Sequence, residues 1–203
     1  KSTKLKQPFS FELKEGEILS IFGLVGSGRT EVARAIFGAD RIEKGEIYIE
    51  GNLVKISSPY DAINNEIGLV PEERKQGLHF LINVEKNNIL TAINKKKMRN
   101  ILINKFGIIN AKKRRQIIEE AIKKLQIKVS SPTQLPLYLS GGNKQKVILS
   151  KCISSQPRVI ILDEPTKGVD VGTKSLIFHI MTDLVSQGKG IIMISSEVDE
   201  VIA

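Results

Sequence analysis

The sequence predicts an α/β fold: a mainly parallel sheet covered by helices on both faces, with a helical block inserted into it. Three observations carry this. The short apolar runs EILSIF (17–22), VIIL (159–162) and GIIMIS (190–195) have the length and continuity of buried strands. Segments of helical periodicity stand between them, and strands alternating with helices imply parallel pairing. From about residue 81 to 139 the texture changes, and apolar residues recur at helical spacing among many charges. The expected organisation is one domain over 1–203, with a core of 1–80 and 141–203 and a helical subdomain of 81–140.

Each element has its own signal. EILSIF ends at Gly23, and TEVARAIF (30–37) reads as a helix stopped by Gly38. GEIYIEGNLVKI (45–56) alternates around Gly51-Asn52 and predicts an antiparallel hairpin. IGLV (67–70) is a short strand stopped by Pro71. Asn110 is a fitting cap for a helix over 111–126, with Ile117, Ile118, Ala121, Ile122 and Leu125 as its buried stripe. SSPTQLPLY (130–138) is a loop. A helix over 143–154, the strand VIIL between Pro157 and Pro165, a helix over 173–187 and the strand GIIMIS complete the chain.

Composition narrows the function classes. The 203 residues are 41% hydrophobic and 26% charged, ordinary values for a globular domain. There is no run of 18 apolar residues to span a bilayer, and KSTKLKQPFSF lacks the apolar core of a signal peptide. One cysteine, Cys152, excludes an internal disulfide framework and suits a reducing cytosol. The net charge of +9 is local: residues 95–128 hold twelve lysines and arginines against Glu119 and Glu120. A solvated helical face and a surface near anionic headgroups both explain that segment. Among its charges Phe106 is the single aromatic residue, so nucleic acid is not an expected partner.

Three motifs carry chemistry. GLVGSGRT (23–30) nearly matches a phosphate-binding loop, with Arg29 where lysine is usual. Its strand–loop–helix setting aims backbone N–H groups and a helix N-terminus at an anion. Gly23, Leu24, Val25, Gly26, Ser27, Gly28, Arg29 and Thr30 are therefore candidate nucleotide-binding residues, and Thr30 offers a hydroxyl to Mg2+. VIILDEP (159–165) puts Asp163 and Glu164 at the end of a strand, where α/β folds bind ligands. Asp163 is a candidate metal residue, and Glu164 can orient and deprotonate a water. LSGGNKQK (139–146) sets Ser140, Gly141 and Gly142 before a helix, a second anion-binding turn that suits a nucleotide held by another subunit.

Together these motifs resemble those of ABC-type ATPases, whose fold is a RecA-like P-loop NTPase core. GLVGSGRTEVARAIFG, VPEERKQGL, LSGGNKQKV and LDEPTKGVDVGTK are similar to the second nucleotide-binding domain of the double ATPase in bacterial sugar importers of the ribose, galactose and xylose type; a related branch imports nucleosides. The resemblance implies ATP and Mg2+ as cofactors. It implies a second nucleotide-binding domain and transmembrane permease subunits as partners, an extracytoplasmic solute-binding protein indirectly, and a place on the cytoplasmic side of the inner membrane. Ser140, Gly141 and Gly142 would complete the partner's ATP site. Asp170 would belong to the loop that links the two sites, and residues 71–80 to the hinge.

The departures concentrate in one site. Arg29 replaces lysine, Glu72 stands where the hinge has glutamine, and Glu197 stands where a switch histidine would meet the γ-phosphate. Glu164, Glu72 and Glu197 are the catalytic set the resemblance assigns. The expectation is asymmetric: a slow cis site beside an intact signature loop. A non-hydrolysing regulatory half stays open as an alternative. A DNA-acting ATPase is disfavoured, because no sustained heptads separate the loop from the signature. The family's extra strand and adenine-stacking residue lie ahead of Lys1, and another strand pair follows EVDEVIA, so the chain is expected to be a piece of a longer protein. Phe9 and Phe11 precede the loop too closely to stack on adenine.

Overall fold

The computed structural model describes residues 10–24, 26–104 and 107–202; Val25, Phe9 and Phe106 lie outside the described residues. Four strands form a parallel sheet in the order β1 (Ile18–Phe22), β6 (Gly190–Ser195), β5 (Val159–Asp163), β4 (Ile67–Val70). Successive side chains leave opposite faces. Ile160, Leu162, Ile191 and Met193 pack into one core with α7 (Gly141–Ile153) and α8 (Val171–Ser186). Ile161, Ile192 and Ile194 face the other way, onto Ala33 of α1 (Arg29–Ile36) and Ala62 of α2 (Pro59–Asn64).

Two expectations are corrected in detail. EILSIF is not a buried strand: β1 is an edge of the described sheet, and Ile18 and Phe22 are 39% and 48% exposed. The hairpin of β2 (Ile47–Ile49) and β3 (Asn52–Val54) turns at Glu50-Gly51, one residue earlier than the sequence pattern places it, because Ile49 pairs with Asn52. Both turn residues have positive φ, the requirement of the tight turn that matches strand twist.

The middle of the chain is helical: α4 (Val84–Asn94), α5 (Lys96–Leu102) and α6 (Ala111–Lys124) follow the short α3 (Arg74–Gly77). Asn110 caps α6, its side chain accepting from the Lys113 N–H. Ile118 and Leu125 are the stripe's fully buried members, and they join the cluster that also holds the sheet residues Ile160 and Leu162. The basic segment is not uniformly solvated. Lys95 is 5% exposed, 2.9 Å from Glu66, and Arg114 meets Glu85 at 2.6 Å. No helix among the described residues is long and apolar enough to cross a membrane.

Candidate functional site

Parallel pairing puts all four carboxyl ends along one sheet edge. The loop 23–28 follows β1, Ser195 ends β6, Asp163 and Glu164 end β5, and Glu72 follows β4. Register aligns them, with Phe22 beside Ser195 and Asp163 beside Ile194. Gly26, Ser27, Gly28, Arg29, Thr30, Glu72 and Glu164 thus meet around one cleft, with Glu31 and Lys167 completing its lining.

The loop has the conformation a phosphate cradle needs. Gly28 is the N-cap of α1 at φ 95°, and Gly26 sits at φ 86°, left-handed values where a side chain is strained. No side chain caps α1, so the first N–H groups of the helix are offered to a ligand. Ser27 N–H closes the turn onto Leu24 C=O at 3.1 Å. At Gly23 a Cβ would lie 2.8 Å from Ser27 Oγ, so a larger residue there would have to displace that hydroxyl. Val25, named with this loop, lies outside the described residues.

Asp163 is 2% exposed, and its Oδ1 has no hydrogen-bond partner. Burial pushes its carboxyl up to about 6; Glu72 and Glu164 add to the rise, while a Thr30 hydrogen bond and Arg29 oppose it. A buried, unpartnered carboxylate oxygen next to a hydroxyl is a hard donor pair. That pair fits Mg2+, which takes one or two protein ligands and fills its octahedron with water and phosphate.

Glu164 is 7% exposed and adopts φ 47°, a left-handed value that costs a non-glycine residue about 1–2 kcal/mol. Its N–H donates to Ile194 C=O at 2.9 Å, so β6 holds the chain while it turns sharply off β5. The strain aims the carboxylate at the cleft. Arg29, although it lines the cleft, is engaged by groups of the protein itself. Its Nη1 donates to the Ser195 carbonyl, its Nη2 lies 3.4 Å from Glu164 Oε1, and its side chain is 10% exposed.

The other two departures part company. Glu72 lines the cleft and pairs with Lys167 Nζ at 2.6 Å. Glu197 is outside the cleft lining, 56% exposed and bound to Lys174 Nζ at 2.6 Å. Sequence reading passed over Glu200 on α9 (Val198–Ile202), whose side chain is 1% exposed. It accepts from Thr166 Oγ1 at 2.5 Å and Ser195 Oγ at 2.6 Å, with Lys174 Nζ at 2.7 Å. Burial would raise its carboxyl, but Lys174, Ser195 and Thr166 outweigh burial and hold it below its ordinary value. Glu200 ties the ends of β5 and β6 together behind Glu164. A third acid in ISSEVDE gives no sign of burial until its partners converge.

The signature turn lies elsewhere, at the start of α7. Ser140 caps this helix, accepting from Asn143 N–H at 3.3 Å and Asn143 Nδ2 at 2.9 Å. Gly142 is a close approach, since a Cβ there would sit 2.7 Å from Thr173 Oγ1. Asp170 caps α8, accepting from Thr173 N–H and Oγ1, both at 2.9 Å, which holds its carboxyl below its ordinary value. Ser140, Gly141, Gly142 and Asp170 therefore form a second group, separate from the loop cleft.

Comparison with known proteins follows the same lines. The model of the ABC transporter family matches residues 6–167. The chain is 46% identical over 194 residues to the ribose import ATP-binding protein RbsA of Caldanaerobacter subterraneus subsp. tengcongensis, covering 95% of this chain and 38% of that one. It is 42% identical over 199 residues to the arabinose import ATP-binding protein AraG of Vibrio parahaemolyticus, covering 98% and 38%. The chain spans a little over a third of the length of the curated relatives it matches. Among solved structures it is similar to the dimeric post-hydrolysis state of the ATP-binding cassette MJ0796 bound to ADP and Pi, with TM-score 0.78 and 25% identity, covering 93% of this chain and 78% of that one. A fold shared with that cassette, a family match over most of the chain and the cleft's own geometry agree: the chain belongs to the ABC transporter family.

Proposed function

We propose that this chain is an ATP-binding and ATP-hydrolysing domain, the second nucleotide-binding domain of a bacterial simple-sugar importer. The observation that carries the reading is the cleft itself, lined by a glycine loop and a strained Glu164, with Asp163 bonded to Thr30 beside it and keeping one buried oxygen unpartnered. The loop N–H groups bind and orient the phosphates. Thr30 and Asp163 would hold Mg2+, which when bound neutralises phosphate charge. Glu164 takes the proton of the attacking water at its carboxylate. The similarity to ribose and arabinose import ATP-binding proteins supports sugar as the cargo class over nucleosides.

The site is built asymmetrically. Arg29 is engaged with Glu164 and Ser195, Glu72 brings a carboxylate to the cleft, and Glu197 lies outside its lining. The signature turn, by contrast, carries none of these departures, and Ser140 caps α7 there by accepting from the Asn143 N–H. The partner is a second nucleotide-binding domain; permease subunits would take up the motion, with the solute-binding protein reached through them, at the cytoplasmic face of the inner membrane. The residues 81–140 are the subdomain proposed to rotate. Nucleic acid has no place in this reading.

One observation favours a second reading, a regulatory half that binds ATP without hydrolysing it. Arginine held against the general base must yield it before the base can take a proton. Single-turnover hydrolysis of MgATP by the chain and its Glu164→Gln variant decides. The proposed enzyme turns over slowly and loses about 10²–10⁴-fold on substitution. Absence of turnover in both selects the binding-only reading.

A further inference from the structure

We propose that Lys167, from the turn after β5, supplies a phosphate-binding positive charge to this cleft while the loop's own cationic residue is engaged by Ser195 and Glu164. The inference rests on the nucleotide-site reading and names the residue that reads the terminal phosphate.

Among the described residues lining the cleft, Arg29 and Lys167 are the two with positive charge. They are bound very differently. Arg29 is 10% exposed and spans Ser195 and Glu164, whose side chain is 8% exposed. Moving the guanidinium to a phosphate would leave that carboxylate buried and unpaired next to Asp163, a heavy cost. Lys167 is 59% exposed, and its partner Glu72 is 32% exposed. Such a solvent-screened pair contributes little, so exchanging one carboxylate for a phosphate oxygen of higher charge is favourable.

The backbone of Lys167 is fixed while its head is not. Its N–H donates to Glu164 C=O at 3.2 Å. Arg74 Nη2 grips the Lys167 carbonyl at 2.9 Å and the Gly168 carbonyl at 3.0 Å. The four-carbon stem then swings an ammonium, a compact point charge, between Glu72 and the ligand. Glu72 becomes the resting-state partner of Lys167, which accounts for a carboxylate at a phosphate site.

The test is an ATP analogue carrying an acyl group on its terminal phosphate, which acylates a lysine amine within reach of that phosphate. On the full chain, acylation is expected at Lys167 and is blocked by MgATP. Lys167→Ala should lower the preference for MgATP over MgADP by about tenfold or more, and Lys167→Arg should restore most of it. Melting temperatures of these variants should match the parent's, since the side chain is exposed. ATP-protected acylation confined to other lysines, such as Lys144 or Lys174, or an unchanged preference in Lys167→Ala, overturns the inference and leaves the nucleotide site standing. No binding or labelling in the parent chain overturns both.

Discussion

The two glycine turns of this molecule look alike in sequence and differ in physics. In the loop cleft, glycine is there for conformation: Gly26 and Gly28 take left-handed φ, α1 has no side-chain cap, and Asp163 keeps a buried oxygen without a partner. At the signature turn, glycine is there for space, because Gly142 lies against Thr173 and Asp170. There Ser140 caps α7 and Asp170 caps α8. The first region stores unsatisfied polar groups and strain, which a charged ligand relieves. The second has a side-chain cap of its own at each helix start.

Substitutions with opposite signs can break this comparison. The largest loss belongs behind the cleft: Glu200→Ala strands Thr166, Ser195 and Lys174 and should cost about 3 kcal/mol in urea unfolding. Because Glu200's carboxyl is held low, its contribution is present above its ordinary value and fades as pH falls through the lower folded value.

Asp163→Asn should stabilise the nucleotide-free chain, on the order of 2 kcal/mol at pH 8 or roughly 4–8 °C in a thermal melt. The folded carboxyl titrates at about 6 against an ordinary 3.8. Between those values the folded state holds a proton that the unfolded state has released, so stability falls as pH rises through that window. The gain from asparagine should therefore shrink at pH 5. Ser140→Ala should go the other way, losing about 1 kcal/mol at any of these pH values. A neutral Ser140→Ala with a destabilising Asp163→Asn would reverse the contrast. The smallest effect serves as the baseline: Arg115→Ala removes an exposed pair with Glu119 on α6 and should change stability by about 0.5 kcal/mol or less.

Sequence by itself determined the strands β4, β5 and β6, the cap at Asn110, and the placing of the glycine loop and the Asp163-Glu164 strand end on one side of the sheet. These rest on local rules: apolar runs of strand length, side chains that cap their own helix, and parallel strands that must end on one side. Tertiary structure alone decided what the charges do. Nothing local to GLVGSGRT says that Arg29 turns to Ser195 and Glu164, because both partners are distant in the chain. Nothing in ISSEVDE separates buried Glu200 from exposed Glu197, since both are acids near one helix start. Burial and pairing of a charge depend on which elements pack against it, and that is settled only when the sheet assembles.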